Sequence, residues 1–475
     1  MERNPSASKE NIKKTSWLSR AERRRLLHGN RLAQELLSII KAYFPEFLYQ
    51  LTRVKDPRSK NYTTYDISVL LLVRILSAIF SIDSMQMTTY EFNDDNMIQN
   101  IGAILKQDDL IELPHHDTIN NCFRELGPSE LEELIHKMIE RLLRRNTFKN
   151  SRVRGTSWQI LIDGTELASF KHRHCDHCMF KRYKNKKGEV RRVEFYHSVL
   201  EAKLVLNGKL VFSICTVFIE NEDPIPDEAE LWSSGYDEPG MEKKKQDNEL
   251  KAFYRLAAKL KAAYPHLPIC ITTDSLYPCR QVFETCRENG WHYIMRFKDG
   301  AIPTLGKKYR LESVKHPEQY IIKIMPDKRM DYCYVNGLDY DEFTINVVEC
   351  IDSDVDYPFI FITDLPIDMN NYAETVEYGR RRWKIENEGF KSQKRHGYNL
   401  KHVFCKDYNA MKVHYLLIQI AHAIGQLIDH LSIIPEKIRA SLKKFHESLL
   451  KSFRKQLLTD EDFVYISEKK KLRLD

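Results

Sequence analysis

The sequence predicts an α/β protein with an all-helical N-terminal part, and three patterns support this fold class. Apolar side chains recur at three- and four-residue steps through residues 31–150, which is the spacing of helices packed in a core. From residue 151 onward, short apolar runs typical of buried strands alternate with amphipathic segments. Residues 301–366 add further β-rich runs, and a long helical pattern follows from about residue 371.

The helical part contains two clear helices and one motif with two interpretations. Tyr65–Phe80 predicts a buried helix, and Ser129–Arg144 predicts an amphipathic one. Between them, Asp117 or Thr118 is expected to cap a short helix after a turn, as in a helix-turn-helix. Most short capped helices in bundles only pack, so this motif has a structural interpretation as well as a DNA-binding one.

The second part has the order strand, hairpin, helix, strand, helix, strand. Two nearly continuous apolar runs, Trp158–Asp163 and Pro268–Asp274, predict buried strands that each end on a carboxylate. The dipeptide Asn207-Gly208 is a strong hairpin signal, and Gly290 is a good helix C-cap. The other predicted elements are the hairpin strands Phe195–Leu206 and Leu210–Ile219, the helices Asp247–Ala263 and Cys279–Glu288, and the strand Trp291–Phe297.

A β-rich stretch and two helices complete the prediction. The β-rich pieces are Gln319–Met325, Met330–Val335, Phe343–Cys350 and Pro358–Thr363, and the helices run from about Asn371 to Lys394 and from Val413 to Ile434. Residues 1–30 carry eight Lys or Arg against three Glu, which predicts a basic arm that is either disordered or bound to DNA. The predicted organisation is a basic arm at 1–30, a helical domain at 31–150, a core at 151–297, a β-rich insertion at 298–370, the rest of the core at 371–434 and a basic tail at 435–475.

Composition restricts the class of protein. Hydrophobic residues make up 42% and charged residues 30% of the chain, as in ordinary globular proteins. The ten cysteines lack the spacing of a disulfide scaffold, and the start lacks an apolar signal region. The two most apolar stretches, Tyr65–Asp83 and Val413–Ile434, contain charged or polar residues and are not credible membrane spans. We therefore expect a protein of a reducing cytoplasmic compartment that does not associate with membranes.

Positive charge is concentrated in two segments. Tyr378–Lys406 has nine basic and two acidic residues, a balance of +7 that equals the net charge of the whole chain. Lys171–Arg192 has the same balance. Cations in such number suit the phosphate backbone of a nucleic acid. A carboxylate among them suits a residue that holds a metal ion while its neighbours hold phosphate.

Three acidic residues stand out by position. Asp163 and Asp274 each close an apolar strand, and Glu386 lies on the basic helix, at separations of 111 and 112 residues. Strand ends of an open α/β sheet present groups to a ligand. Three such carboxylates suit two Mg²⁺ or Mn²⁺ ions acting on a phosphodiester. Each Asp alone also has a structural interpretation, as a turn residue or a helix cap.

These residues resemble those of insertion-sequence transposases of the DDE type, whose catalytic core is RNase H-like. The similarity is to the group with a Tyr–Arg–Glu–Lys signature on the third catalytic helix (the IS-four-like group), and it covers roughly residues 40–425. The most specific motifs are Ile162-Asp163-Gly164-Thr165, Thr273-Asp274-Ser-Leu-Tyr277 and Arg382-Trp-Lys-Ile-Glu386-Asn-Glu-Gly-Phe.

The match to the signature is complete at two positions and displaced at two. Arg382 lies four residues before Glu386, as the signature requires. The positions expected for Tyr and Lys hold Gly379 and Gln393, so Tyr378 is one residue early and Lys394 one residue late. Glu388 is a competing third acid, with Lys384 four residues before it.

The resemblance implies a fold, a reaction and a set of site residues. The implied fold is an RNase H-like mixed-sheet core with a β-rich insertion, expected to contact the transposon end, before the last catalytic helix. The helical residues 31–150 would then either bind DNA or support the core. The implied reaction is cutting at insertion-sequence ends and joining of the 3′-hydroxyl to target DNA by two-metal-ion phosphoryl transfer, with hairpin use left open. The implied residues are the catalytic and metal-binding Asp163, Asp274 and Glu386, and the DNA-binding Arg382, Tyr378, Lys394, Arg381 and Lys391.

The same resemblance implies partners and a location. The partners are Mg²⁺ or Mn²⁺, double-stranded DNA as terminal inverted repeats and target, and a second copy of the chain in a synaptic homodimer. The location is the bacterial or archaeal cytoplasm, at the nucleoid. Two other functions remain open, namely another RNase H-like nuclease for resolution or repair, and a catalytically inactive DNA-binding protein derived from a transposase.

A cluster of Cys and His follows the first Asp and has two compatible interpretations. Two cysteines have the spacing of one half of a zinc site, and neighbouring histidines would complete the ligands. The candidate zinc ligands are Cys175, Cys178, His172 and His177, with His174 and His197 as alternatives. The other interpretation is a basic loop that binds the DNA backbone, because Lys171–Arg192 is strongly positive.

Two further acids open a predicted helix. Asp247 and Glu249 lie where acidic residues commonly interact with the positive end of the helix dipole. We interpret both as structural.

Overall fold

The computed structural model describes residues 32–221, 227–233, 246–298, 300–326, 328–395, 397–431 and 442–468. The chain divides into two compact units, one formed by residues 1–144 with 391–475 and the other by residues 145–390. The predicted basic arm at 1–30 and both ends of the predicted tail at 435–475 lie outside the described residues.

The first unit is helical throughout its described part. Its N-terminal helices are α1 (Leu32–Tyr43), α2 (Phe47–Arg53), α3 (Ile67–Ile79), α4 (Met85–Phe92), α5 (Asp95–Leu105), α6 (His116–Glu125) and α7 (Pro128–Leu143). The long helix from Tyr408 to Leu431 packs against α3, α6 and α7. Every residue of α3 is buried, which explains its nearly continuous apolar sequence. No helix in the described ranges is both long and apolar enough to cross a membrane.

The predicted cap of α6 is wrong by two or three residues. His115, and not Asp117 or Thr118, has the extended backbone of a cap residue, and its ring accepts a hydrogen bond from the amide of Asp117. Asp117 therefore lies in the first turn of the helix, where a carboxylate interacts favourably with the helix dipole.

The second unit is built on one mixed sheet. Its strands are β1 (Arg152–Val153), β2 (Ser157–Phe170), β3 (Met179–Lys184), β4 (Val190–Leu206), β5 (Leu210–Ile219), β6 (Ile269–Thr273), β7 (His292–Arg296), β8 (Tyr320–Ile324), β9 (Arg329–Tyr340), β10 (Phe343–Asp352) and β11 (Phe359–Thr363). Its helices of eight or more residues are α8 (Glu249–Ala263), α9 (Arg280–Asn289), α10 (Pro303–Lys315) and α11 (Tyr372–Arg380).

The strand order places the two predicted acidic strands next to each other. The order is β3-β4-β2-β6-β7-β11-β10-β9-β8, with β1 on β2 and β5 on β4. β2, β6 and β7 are parallel, and the other pairs are antiparallel. The described chain thus has a mixed sheet of eleven strands and an all-helical N-terminal region, which confirms the predicted fold class.

The hairpin and cap signals are confirmed. Asn207 and Gly208 join β4 to β5 with φ values of 49° and 62°, as a tight hairpin turn with two left-handed residues requires. Gly290 ends α9 in the left-handed conformation.

The β-rich stretch extends the core sheet. β11 pairs with the edge of β7, with Phe361 opposite Arg296, and β10, β9 and β8 follow in turn. Residues 320–363 are therefore hydrogen-bonded, strand by strand, to the sheet that carries the predicted acids.

Two predicted element boundaries near the acids are wrong. β2 does not end at Asp163 but runs to Phe170, because β4 continues to pair with it beyond the end of β6. The helix predicted from Asn371 to Lys394 is interrupted after Arg380 by i→i−3 hydrogen bonds. A π-helical segment, Ile385–Lys391, and a short helix, Ser392–Arg395, follow. Such π segments occur often at functional sites.

Candidate active site

The two aspartates are level with each other on neighbouring parallel strands. Leu161 of β2 lies opposite Thr272 of β6, so the same register places Asp163 beside Asp274, just beyond the last residue of β6. Adjacent strands lie about 4.8 Å apart. One oxygen of each carboxylate is used locally. The Gly164 amide donates to Asp163 Oδ1 at 3.0 Å, and the Leu276 amide donates to Asp274 Oδ1 at 2.8 Å.

Glu386 comes from the π-helical segment, which packs on the same sheet. Ile385 and Phe390 of this segment are buried against Leu161 of β2 and Val205 of β4. The contact holds the backbone of Glu386 close to the strand that carries Asp163.

Arg382 joins two of the predicted acids. Its Nη1 lies 3.3 Å from Asp163 Oδ2 and 2.8 Å from Glu386 Oε1. The Asp163 and Arg382 side chains are 16% and 15% exposed, whereas Glu386 is 52% exposed. The Arg–Glu spacing that the signature requires thus places one guanidinium between two carboxylates.

The Asp163 carboxyl is strongly perturbed. Burial, together with the neighbouring carboxylates of Glu386, Glu249 and Asp274, raises its pKa to about 7, and Arg382 opposes this shift. A carboxyl that titrates near neutrality among other acids is typical of functional sites.

Glu249, which the sequence analysis interprets as structural, lies beside the predicted acids and is a fourth carboxylate of this group. A Cβ built on Gly164 would lie 2.4 Å from Glu249 Oε1, so the absence of a side chain at Gly164 allows this carboxylate to approach β2. Burial raises the pKa of Glu249, and Asp274 raises it further. Its position in the first turn of α8 looked ordinary in the sequence, and only the packing of that turn beside Gly164 distinguishes it.

Tyr277 lies among the same carboxylates. Its ring is fully buried, and burial raises the pKa of its hydroxyl well above 10, with contributions from Glu249, Asp163 and Asp274. The motif Thr273–Tyr277 therefore supplies both a carboxylate and a phenol to the group.

A cationic cavity adjoins the acids. It has a volume of about 610 Å³, and both Asp274 and Arg382 line it. The other charged lining residues are Arg296, Lys298, Arg310 and Arg380, and the aromatic ones are Phe297, Tyr357, Phe359, Phe361 and Trp383. Tyr357 and Trp383 are 47% and 48% exposed. Cations and exposed rings together suit a nucleotide, whose phosphate and base need both.

The signature position one residue after Tyr378 cannot hold a side chain. A Cβ on Gly379 would lie 2.4 Å from the Phe361 ring, because α11 packs closely on β11. Tyr378 itself is buried, and its hydroxyl donates to Glu374 at 2.5 Å. A DNA contact by Tyr378 stays a prediction.

The remaining predicted DNA-binding residues have different surroundings. Arg381 Nη2 donates to Glu377 at 2.7 Å, and its side chain is 20% exposed. Lys391 is exposed and Lys394 is partly exposed. The signature position of the Lys holds Gln393, which is buried and donates to Gln419 at 2.7 Å.

The competing third acid has another partner. Glu388 Oε1 lies 3.2 Å from Lys384 Nζ. The structure places no contact between Glu388 and Asp163 among its described hydrogen bonds and ion pairs, whereas Arg382 links Glu386 to Asp163.

The Cys/His cluster assembles with a different histidine from the two preferred in the sequence. The ligand atoms of Cys175, Cys178 and His197 lie within 4.8 Å of one another. His172 instead lies 3.0 Å from Glu228 and is 85% exposed. His177 is exposed as well.

A comparison with protein families finds a match in the C-terminal half of the chain. Residues 242–424 match the family model of the transposase DDE domain. The matched span contains Glu249, Asp274, Arg382 and Glu386 and begins after Asp163. A comparison with curated proteins finds no match to the chain. The family match supports a metal-dependent transposase or nuclease that binds DNA.

The donor set suits a hard divalent cation. The four acids offer only carboxylate oxygens, which Mg²⁺ and Mn²⁺ prefer, and their mutual repulsion is visible in the raised pKa of Asp163. Within the described ranges, two clusters of side chains have three possible metal-ligand atoms within 4.8 Å of one another, and neither cluster contains any of these four acids. In this structure the guanidinium of Arg382 supplies the positive charge that pairs with both Asp163 and Glu386.

Proposed function

We propose that this protein is a DNA transposase that cuts at the ends of an insertion sequence and joins the free 3′-hydroxyl to target DNA. The observation that carries the proposal is the convergence of Asp163, Asp274 and Glu386 beside one cationic cavity, within and next to a segment that matches the transposase DDE domain.

The three acids would hold two Mg²⁺ or Mn²⁺ ions, which supply Lewis-acid activation of the attacking oxygen and neutralise charge on the leaving oxygen. The protein itself binds and orients the DNA. Arg382 contacts the phosphate next to the acids, and the cationic cavity binds the terminal nucleotide. The oxygen of water or of a 3′-hydroxyl attacks phosphorus and loses its proton to solvent. The bond from phosphorus to the leaving 3′-oxygen breaks, and that oxygen takes up a proton to become a 3′-hydroxyl.

The cavity is also relevant to how the second DNA strand is cut. A hairpin intermediate requires a base displaced from the stack near the cut. Trp383 and Tyr357 are exposed rings beside cations, so they are the residues on which such a base would stack. We infer that the cavity accepts a displaced nucleotide whether or not a hairpin forms.

The proposal includes partners and a location. Two inverted repeats must be held together for joining, so the working form is a homodimer on double-stranded DNA at the nucleoid of a bacterial or archaeal cell. The basic strands β3 and β4 and the cations of residues 378–406 are the proposed contacts with the DNA backbone.

The decisive experiment uses the DNA that flanks the coding region as a source of inverted repeats. Purified protein with end DNA, target plasmid and Mg²⁺ is expected to give end cleavage and a covalently joined product, read on denaturing gels. Cleavage without joining would support the alternative nuclease function. Binding without any cleavage would support an inactive DNA-binding protein and contradict the proposal.

Glu249 is expected to contribute to cleavage through its electrostatic effect on the neighbouring Asp163 and Asp274. Glu249→Gln is expected to lower the cleavage rate about 10- to 100-fold, the usual cost of losing a group next to metal ligands. DNA affinity, measured by filter binding in Ca²⁺, should stay unchanged. The matched control is Glu130→Gln, because Glu130 also lies in the first turn of a helix. Equal cleavage rates in the two variants would contradict a role in cleavage and would leave Glu249 with the helix-dipole role alone.

A further inference from the structure

The Cys/His cluster has distances that are specific to one kind of occupant. Cys175 Sγ lies 3.8 Å from Cys178 Sγ and 3.4 Å from His197 Nε2, and Cys178 Sγ lies 3.5 Å from His197 Nε2. Cys178 and His197 are completely buried, and Cys175 is partly buried. The two sulfurs are too far apart for a disulfide, in which they are about 2.05 Å apart.

These edges are those of a tetrahedral zinc site. Zinc lies about 2.3 Å from thiolate sulfur and about 2.0 Å from imidazole nitrogen, which implies sulfur–sulfur edges of about 3.8 Å and sulfur–nitrogen edges of about 3.5 Å. We propose that Cys175, Cys178 and His197 bind one Zn²⁺ ion. The fourth position is open to water, because the His174 ring is stacked on Phe170 and is not one of the ligand groups within 4.8 Å of one another.

The backbone around the cysteines supports thiolate ligands. The Cys175 amide donates to Cys178 Sγ at 3.3 Å. A hydrogen bond from an amide to a ligand atom stabilises its charged form and orients it, as outer-shell partners do at metal sites. The two cysteines and His197 therefore offer a soft and preorganised donor set, which contrasts with the carboxylates of the candidate active site.

The position of the cluster suggests what the ion does. The cysteines lie in the connection from β2 to β3, and His197 lies on β4, the strand to which β3 is hydrogen-bonded. Among the described residues the local apolar core is small, and its buried members are Cys178, Phe180, Val193, Phe195 and Leu231. An ion that ties the connection to β4 would add the stability that so small a core lacks.

The element that the ion would hold is the basic hairpin of β3 and the first half of β4. Its exposed cations include Lys181, Lys184, Arg191 and Arg192. The second half of β4 pairs with β2 at Asp163, which lies opposite Glu201. Zinc would thus give a fixed orientation to a cationic hairpin that shares a strand with the candidate active site. The metal is structural and takes no part in the proposed phosphoryl transfer.

The test is the metal content of the full chain, purified without chelator and measured by inductively coupled plasma mass spectrometry. About one zinc per chain is expected for the wild type. Cys178→Ser and His197→Asn are expected to lose at least about 80% of it. His172→Asn and His177→Asn are the matched controls, because these neighbouring histidines lie outside the cluster, and they should keep the full content. A wild type without zinc, or zinc kept by both cluster variants, would overturn the proposal.

A second measurement covers the case in which the cluster variants fail to fold. Titration of the wild type with a mercurial should release one zinc for every two protected thiols, and Co²⁺ substitution should give sulfur-to-cobalt charge-transfer bands. Release without modification of Cys175 and Cys178, read by mass spectrometry, would place the metal elsewhere and refute the assignment. Neither readout depends on DNA cleavage, so failure here leaves the proposed transposase function untouched.

Discussion

Asp163→Asn, Asp274→Asn and Glu386→Gln are each expected to lower Mg²⁺-dependent cleavage of end DNA about 1000-fold or more. Metal ions that stabilise the transition state contribute several kcal/mol, and each substitution removes one carboxylate that would hold them. DNA binding should remain, since the cations of the cavity are unchanged in all three variants. The measurement is a single-turnover cleavage assay beside a gel-shift titration at fixed salt.

Glu388→Gln is the matched control for this series. Glu388 lies on the same segment as Glu386, but its carboxylate pairs with Lys384, and no acid of the candidate site contacts it in the described contacts. The variant should cleave within about threefold of the wild type, the usual range for a surface pair of little energetic weight. A large loss in Glu388→Gln with none in Glu386→Gln would exchange their roles.

Asp163→Asn is also expected to stabilise the metal-free protein above pH 7. The Asp163 pKa is about 7 in the folded protein and 3.8 in the reference state, so the folded state binds this proton more tightly than the unfolded state. The stability contributed by that proton is fully present below about pH 4, decreases as pH rises and is lost above pH 7. The difference between the two pKa values corresponds to about 4 kcal/mol in the free energy of unfolding. Relaxation of the folded protein and penetration of water reduce the expected effect to about 2 kcal/mol at pH 8.

Denaturant unfolding in a chelator, from pH 5 to pH 9, measures this effect. The advantage of Asp163→Asn over the wild type should grow towards pH 7 and then level off, and Mg²⁺ should stabilise the wild type alone. Asp352→Asn is a control for which the opposite change in stability is expected. Hydrogen bonds and ion pairing with Arg380 and Lys328 hold the pKa of buried Asp352 below its usual value, so its loss should destabilise the fold near neutral pH. A wild type as stable as Asp163→Asn at pH 8 would contradict the assigned environment of Asp163.

Local signals in the sequence were sufficient for many elements. Asn207-Gly208 predicted the hairpin and Gly290 the end of α9, because left-handed backbone favours these residue types whatever the surroundings. The apolar runs before Asp163 and Asp274 predicted two buried strands, and the structure pairs them with Leu161 opposite Thr272, which makes the two acids level.

Other features depend on partners distant in sequence. The β-rich stretch joins the core sheet through β11 and β7, a pairing that no local pattern records. The break after Arg380 was not predicted either, since residues 371–394 contain no proline. The interruption appears only in the i→i−3 hydrogen bonds of the folded chain.

The sequence by itself determined which residues have the right chemistry: three acids at strand and helix positions, a cationic segment around one of them, and two cysteines at zinc spacing. The tertiary structure decided which of several similar residues meet. It selected His197 over His172 because β4 pairs with the strand that precedes the cysteines. It added Glu249 because Gly164 leaves room for its carboxylate. Residue type is a local property of the chain, whereas proximity depends on strand pairing and close packing between distant segments.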